Sequence, residues 1–96
     1  FMIQQEVGKS SWFGFSLVLR DPSAGSRQKF VKDLVEEGFE VRPIVTGNFA
    51  KNEVMKYFDY TIHDRLKNSD YVDAHGLFIG NHHYSITTAV DALISL

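Results

Sequence analysis

Apolar residues gather in three short runs separated by polar, glycine-containing stretches, and the spacing within each stretch predicts its element. Trp12 to Leu19 (WFGFSLVL) is aromatic and β-branched, too short for an independent helix and bounded by polar residues, which predicts a buried strand. Gly14 inside it marks a bulge or the close approach of another backbone. The Asp21-Pro22-Ser23-Ala24-Gly25 stretch is a loop signal, and Ser26 to Gly38 follows with apolar residues at 30, 31, 34 and 35 on one helical face. Ser23 or Ser26 is positioned to cap that helix, and Gly38 supplies a left-handed residue past its end.

Phe39 to Val45 has the alternation of a strand, but Pro43 has no N–H to give a ladder, so the run lies at a sheet edge or breaks at Pro43. From Phe49 to Phe58 the apolar positions are irregular and predict a short helix or two turns. Asn68 to His75 reads as a capped helix of one to two turns ending at Gly76. Leu77 to Ile79 is a short strand, and Ile86 to Leu96 a closing helix with Ser85 as its cap. The order is strand, helix, strand, small helices, strand, helix. It predicts an α/β (α+β) sandwich forming one domain over residues 1–96, with a small sheet of three to four strands and helices mainly on one face.

Two segments stand out in this frame. Val41 to Phe49 (VRPIVTGNF) and Phe78 to His82 (FIGNH) each end an apolar run in Gly-Asn just before a helix-like stretch, the kind of strand-end loop on which an α/β domain places ligand contacts. Thr46-Gly47-Asn48 can turn backbone N–H groups toward an anion if a helix begins there, although a lone glycine is more often simply a turn. Arg42, in a strand otherwise apolar on one face, either pairs with a carboxylate or reaches a ligand.

Composition narrows the picture. Ninety-six residues with 44% hydrophobic and 14% aromatic content suit a single small core. Such a chain buries about 60–65% of its unfolded surface. The eight Phe, four Tyr and one Trp exceed what that core can hide, which predicts aromatic surface facing a partner. A net charge of −2 with interspersed signs argues against a nucleic-acid surface. The absence of cysteine excludes disulfides and thiolate chemistry and suits the cytoplasm as the default compartment. No apolar run reaches the roughly 18 residues of a membrane span.

His63, His75, His82 and His83 have no metal-ligand spacing, and the adjacent pair points to opposite sides of an extended chain. No metal site is expected. Nucleophile-elbow, dinucleotide and Walker motifs are absent, and all six lysines lie in polar surroundings rather than the apolar ones that activate a Schiff-base lysine. No catalytic residue is assigned within the chain.

Taken together, Ser11 to Phe15 (SWFGF), Gly38 to Phe49 (GFEVRPIVTGNF), Leu66 to Asp70 (LKNSD) and Gly76 to His82 (GLFIGNH) resemble the C-terminal small domain of the DegT/DnrJ/EryC1/StrS sugar aminotransferases. Within them the resemblance is strongest to the nucleotide-sugar 3-dehydratase branch, which keeps Gly-Asn. It implies a fold like the C-terminal domain of type I pyridoxal-phosphate (PLP) enzymes, and a chain that is a C-terminal fragment of a longer homodimeric enzyme. Such an enzyme acts on a nucleotide-linked 4-keto-6-deoxy sugar for polysaccharide, including lipopolysaccharide, synthesis. It also implies that PLP is held by the large domain, on a Lys, or with a His replacing it in the dehydratases. No cofactor is then expected in this chain alone. Carried onto matching positions, the substrate-binding residues are Arg42, Thr46, Gly47, Asn48 and His82, while Phe13, Phe15 or Phe49 meets the large domain. Two alternatives remain at this stage, a standalone binding module for nucleotide sugars or phosphates and a structural dimerisation domain.

Overall fold

The computed structural model describes every residue of the chain except Ala24, so that member of the expected Asp21–Gly25 loop lies outside the described residues. Four strands, β1 (Met2–Ile3), β2 (Gly14–Val18), β3 (Val41–Arg42) and β4 (Gly76–Gly80), form one sheet in the order β1-β2-β4-β3. Every pairing is antiparallel. Three helices, α1 (Ser26–Glu36), α2 (Lys67–His75) and α3 (Thr87–Ser95), complete it, with two 3-10 turns at Phe49–Lys51 and Glu53–Tyr57. The sequence pattern finds each of these except β1, whose two residues are defined only by their pairing with Leu17 and Val18.

The core lies on one face of the sheet. Opposed residues of an antiparallel pair share a face, so the register Leu17↔Leu77, Phe15↔Ile79 and Val41↔Ile79 lines up one apolar surface. Leu34 of α1 is packed into it with no exposure, and Phe30, Val31, Phe39 and Leu93 surround that cluster. Full burial of a side chain such as Leu34 or Leu77 stabilises by about 1.5–3 kcal/mol. Phe15, one of the three aromatics expected to meet a covering surface, is partly buried against this core. On the other face, α2 stands against the end of β2, with the Tyr71 hydroxyl donating to the Leu19 carbonyl at 2.9 Å. Phe78 there covers Gly14, leaving no room for a side chain: a Cβ would lie 2.3 Å from the ring's Cζ.

Helix ends follow glycine more than serine. Gly25, at φ 79°, precedes α1 with no side-chain cap, and the Ser23 and Ser26 hydroxyls bond each other at 2.7 Å. Ser85 likewise bonds the Thr87 hydroxyl, and no side chain caps α3. At the C-terminus of α1 the expectation holds: Gly38 sits at φ 89°, and the N–H groups of Gly38 and Phe39 donate to the carbonyls of Val35 and Leu34. Beyond it, β3 is a two-residue edge strand that stops at Pro43, where the ladder loses its donor.

The molecule is more open than its size calls for. Its accessible surface is 7703 Å², against about 5,600 Å² for a compact protein of this mass. The Cα radius of gyration is 15.4 Å, where about 12–13 Å is usual at this length.

Candidate functional site

Antiparallel pairing decides how the two Gly-Asn segments relate. Because β4 runs opposite to β3, the segment after β4 emerges beside Glu40 and Phe13, whereas the segment after β3 emerges beside Gly76, whose Cβ position would touch Ile44. They occupy opposite ends of the sheet. The structure therefore gathers Arg42 and His82 on one side and Thr46, Gly47 and Asn48 on the other.

The first end opens on a groove of about 1100 Å³ between α3 and the core face, predominantly apolar and floored by Phe15, Leu17 and Ile79. His82 lines it, and Arg42 borders it from the β3 edge of the sheet. Arg42 sits opposite Phe78, on the face of the sheet away from the core, and its exposed guanidinium is held by the Glu40 carboxylate, with Nε donating at 3.0 Å. His82 is exposed and stacks on Tyr84 with ring centroids 4.8 Å apart and 12° between planes, while His83 meets the same ring edge-on. Asn81 fixes this end: its side-chain amide donates to the Trp12 carbonyl at 2.9 Å and its Oδ1 accepts from the His82 N–H at 2.9 Å. Chemically, the rim offers a planar cation in an exchangeable exposed pair and a stacked aromatic platform beside an apolar trough.

The second end is a polar knot, buried at Asn48 and exposed at its Lys51–Asp70 ion pair. Asn48, 6% exposed, accepts from the Ala50 N–H at 3.0 Å and donates through Nδ2 to Asp70 at 2.8 Å. Lys51 completes it, 2.8 Å from Asp70 and 3.8 Å from Asp73. The hydrogen bond from Lys51, then that from Asn48, holds the Asp70 carboxyl below its ordinary range; the Lys51 ammonium is raised chiefly by its hydrogen bond to Asp70. Gly47, at φ 58°, faces Asp73 so closely that a Cβ would reach its carboxylate. Thr46 is exposed beside it. The Gly47 N–H is spent on the Ile44 carbonyl at 2.8 Å, and the Asn48 side-chain amide on the Asp70 carboxylate of α2, which gives Asn48 an anchoring role in this geometry.

Sequence reasoning missed Glu40, Tyr84, Lys51, Asp70 and Asp73 as partners. Tyr84 and Glu40, each two residues from its partner, and Lys51, three from Asn48, had local signals; Asp70 and Asp73 lie 22 and more residues from Asn48 and meet it through the fold alone. Among the described residues no group of His, Asp and Glu is arranged to hold a metal ion, and no helix is long and apolar enough to cross a membrane. The residues present do not fit PLP either. The described lysines are not enclosed, and the one glycine turn suited to a phosphate is filled by Asp73.

No family model matches the chain. Its sequence is 52% identical over 95 residues to GDP-4-keto-6-deoxy-D-mannose 3-dehydratase of Yersinia pseudotuberculosis, covering 98% of this chain and 24% of that protein. Among solved structures, the Escherichia coli GDP-4-keto-6-deoxy-D-mannose-3-dehydratase with bound hydrated PLP superposes with a TM-score of 0.91 at 48% identity, over 98% of this chain and 24% of that one. A mutant GDP-4-keto-6-deoxymannose-3-dehydratase with bound GDP-perosamine gives a TM-score of 0.91 at 48% identity, over 98% and 25%. The chain spans about a quarter of the length of the relatives it matches.

Proposed function

From the premise that this chain belongs to the PLP-dependent DegT/DnrJ/EryC1/StrS sugar enzymes and matches the C-terminal part of their 3-dehydratase branch, we propose that it works as the small domain of such a dehydratase. The substrate is a GDP-linked 4-keto-6-deoxy sugar destined for cell-surface polysaccharide. The enzyme is cytoplasmic and homodimeric, and PLP is held outside this chain. One observation carries the reading: sequence and fold match together over nearly the whole chain, at 52% identity and a TM-score of 0.91.

Within that frame, the groove end is the substrate-facing one. Arg42 exchanges its exposed Glu40 partner for diphosphate oxygens, which a guanidinium binds in a bidentate fork. His82, oriented by its stack on Tyr84, meets the same ligand from the other rim. Thr46 stays at the opposite end with the anchored Gly47 and Asn48, and takes part only through the partner surface that covers that end. The unburied surface noted above supports a domain over a standalone module.

The test is a chimera in which this chain replaces the corresponding C-terminal quarter of the E. coli relative. It should bind PLP and consume GDP-4-keto-6-deoxymannose. Arg42→Ala in the chimera should raise KM about 10-fold or more with a smaller change in kcat, the loss of a charge-assisted bond of about 1.5–3 kcal/mol. A folded, PLP-loaded chimera without turnover overturns the proposal. So does a saturable absorbance change when PLP is added to this chain alone.

A further inference from the structure

Among the described residues, Trp12, Asp21, Val45 and Asp64 have a positive φ without being glycine. Aspartate tolerates this region, and Trp12 is tied down by the bond from Asn81 to its carbonyl and by its contact with the Phe15 ring. Val45 differs from them. It is β-branched, sits at φ 44° and is 83% exposed, so packing of its own side chain does not offset the strain. The Gly47 N–H, donating to the Ile44 carbonyl at 2.8 Å, closes a turn over residues 44–47 in which Val45 is the first central residue. A positive φ there without one at Thr46 is the II′ pattern, whose first central place belongs to glycine. Both flanks of the turn are pinned. Ile44 packs on Gly76, where a Cβ would lie 2.6 Å from its Cδ1, while Gly47 abuts Asp73 and Asn48 is bonded to Asp70. The left-handed Val45 is imposed by these anchors.

We infer that the turn at residues 44–47 is a two-state latch on strand β3, with Val45 setting its balance. In the closed state, the one in this structure, Val45 is left-handed and Ile44 is seated on Gly76. In the open state Val45 relaxes to a negative φ, which unseats Ile44. The strand held by the latch is easily freed: β3 has two residues, lies at the sheet edge and is followed by Pro43, which gives the ladder no donor. Beyond the turn, the bonds of Asn48 and Lys51 to Asp70 keep the opening from spreading into α2. A β-branched residue costs more in the left-handed region than glycine or asparagine, so Val45 narrows the gap between the two states and leaves the open one populated. Because β3 carries Arg42, opening detaches from the sheet the edge that bears the guanidinium. The latch belongs to the fold and does not depend on what Arg42 binds.

Relaxation-dispersion NMR on this chain and on its Val45→Asn and Val45→Ile variants tests the latch. The parent chain should show microsecond-to-millisecond exchange confined to the amides between Val41 and Asn48, the Ile44 δ1 methyl and Gly76. Val45→Asn, which accepts the left-handed region, should cut the open population about 5-fold or more and raise Tm by about 4–8 °C. Val45→Ile keeps the strain and should leave both near the parent values. Flat dispersion in the parent chain overturns the inference, as does exchange spread evenly over α1 and β2. A Val45→Asn variant that gains Tm while its open population stays at the parent level shows strain without a latch, and also overturns it. No turnover is read in these measurements, so they stand apart from the substrate proposed above.

Discussion

Asn48 shows how a single side chain in a Gly-Asn turn can anchor two elements at once. Its carbonyl oxygen serves one 3-10 turn and its amide reaches Asp70. Asn48→Ala should therefore cost about 1–2 kcal/mol in urea unfolding, combining a lost cap with a lost bond to a carboxylate; an unchanged midpoint would contradict the anchoring role. The same knot sets a pH dependence. Asp70 has its pKa lowered in the folded chain, so its contribution is present above the ordinary carboxylate value and is lost as pH falls through the depressed one. Lys51, raised, contributes below its ordinary value and is lost only as pH rises beyond it. Lys51→Met should flatten the acidic fall in urea midpoint relative to the parent chain, and superimposable profiles would rule the ion pair out as its source. The residue-level signal in the sequence was real but incomplete: Gly-Asn announces a turn, and nothing local announces the carboxylates of α2 that fill it.

At the scale of elements, legibility followed the range of the forces. Helix α1 was readable because its apolar face and the left-handed Gly38 are local features, and β2 and β4 because a buried strand needs an apolar run. Strand direction was not readable, since a strand buried between neighbours shows the same run whether its partners are parallel or antiparallel. Serine caps were overcalled for a related reason: a hydroxyl next to a helix start has other hydroxyls to bond, as Ser23 and Ser85 do. Gly14 was readable as a close approach, and the register makes it testable. It pairs with Gly80, yet a Cβ on Gly14 meets Phe78 at 2.3 Å and the Ile79 carbonyl at 2.6 Å, whereas one on Gly80 meets nothing within 4 Å. The ring can swing aside but the ladder carbonyl cannot, so Gly14→Ala should cost about 1–3 kcal/mol. Gly80→Ala should cost markedly less, and equal urea midpoints for the two variants would refute the packing explanation.

For the whole molecule, the aromatic surplus was the most accurate global signal. Phe13 is 91% exposed, and Phe49 is exposed as expected, while among the described residues the buried apolar cluster is Leu17, Leu34, Leu77 and Ile79. A core of that size supports little stability on its own. The isolated chain should bind the dye ANS strongly while keeping native-like far-ultraviolet circular dichroism, and the chimera should lose most of that dye binding per chain; dye fluorescence as weak as that of a compact domain would contradict the open surface. The sequence could foretell that apolar area was left over. It could not place that area, because the groove and the exposed aromatics of residues 49–62 are created by where α3 and the 3-10 turns come to rest.

The head-to-tail reversal between β3 and β4 has a practical corollary for engineering. With Arg42 and His82 at one end and the Asn48 knot at the other, the two ends can be exchanged between homologues one at a time. On the proposed assignment of the groove end, transplanting residues 80–84 together with Glu40 and Arg42 from a homologue should change the chimera's KM for its sugar nucleotide and leave the carboxylate knot intact. Transplanting 46–52 with α2 would instead move the carboxylate knot as one unit and leave Arg42 and His82 in place.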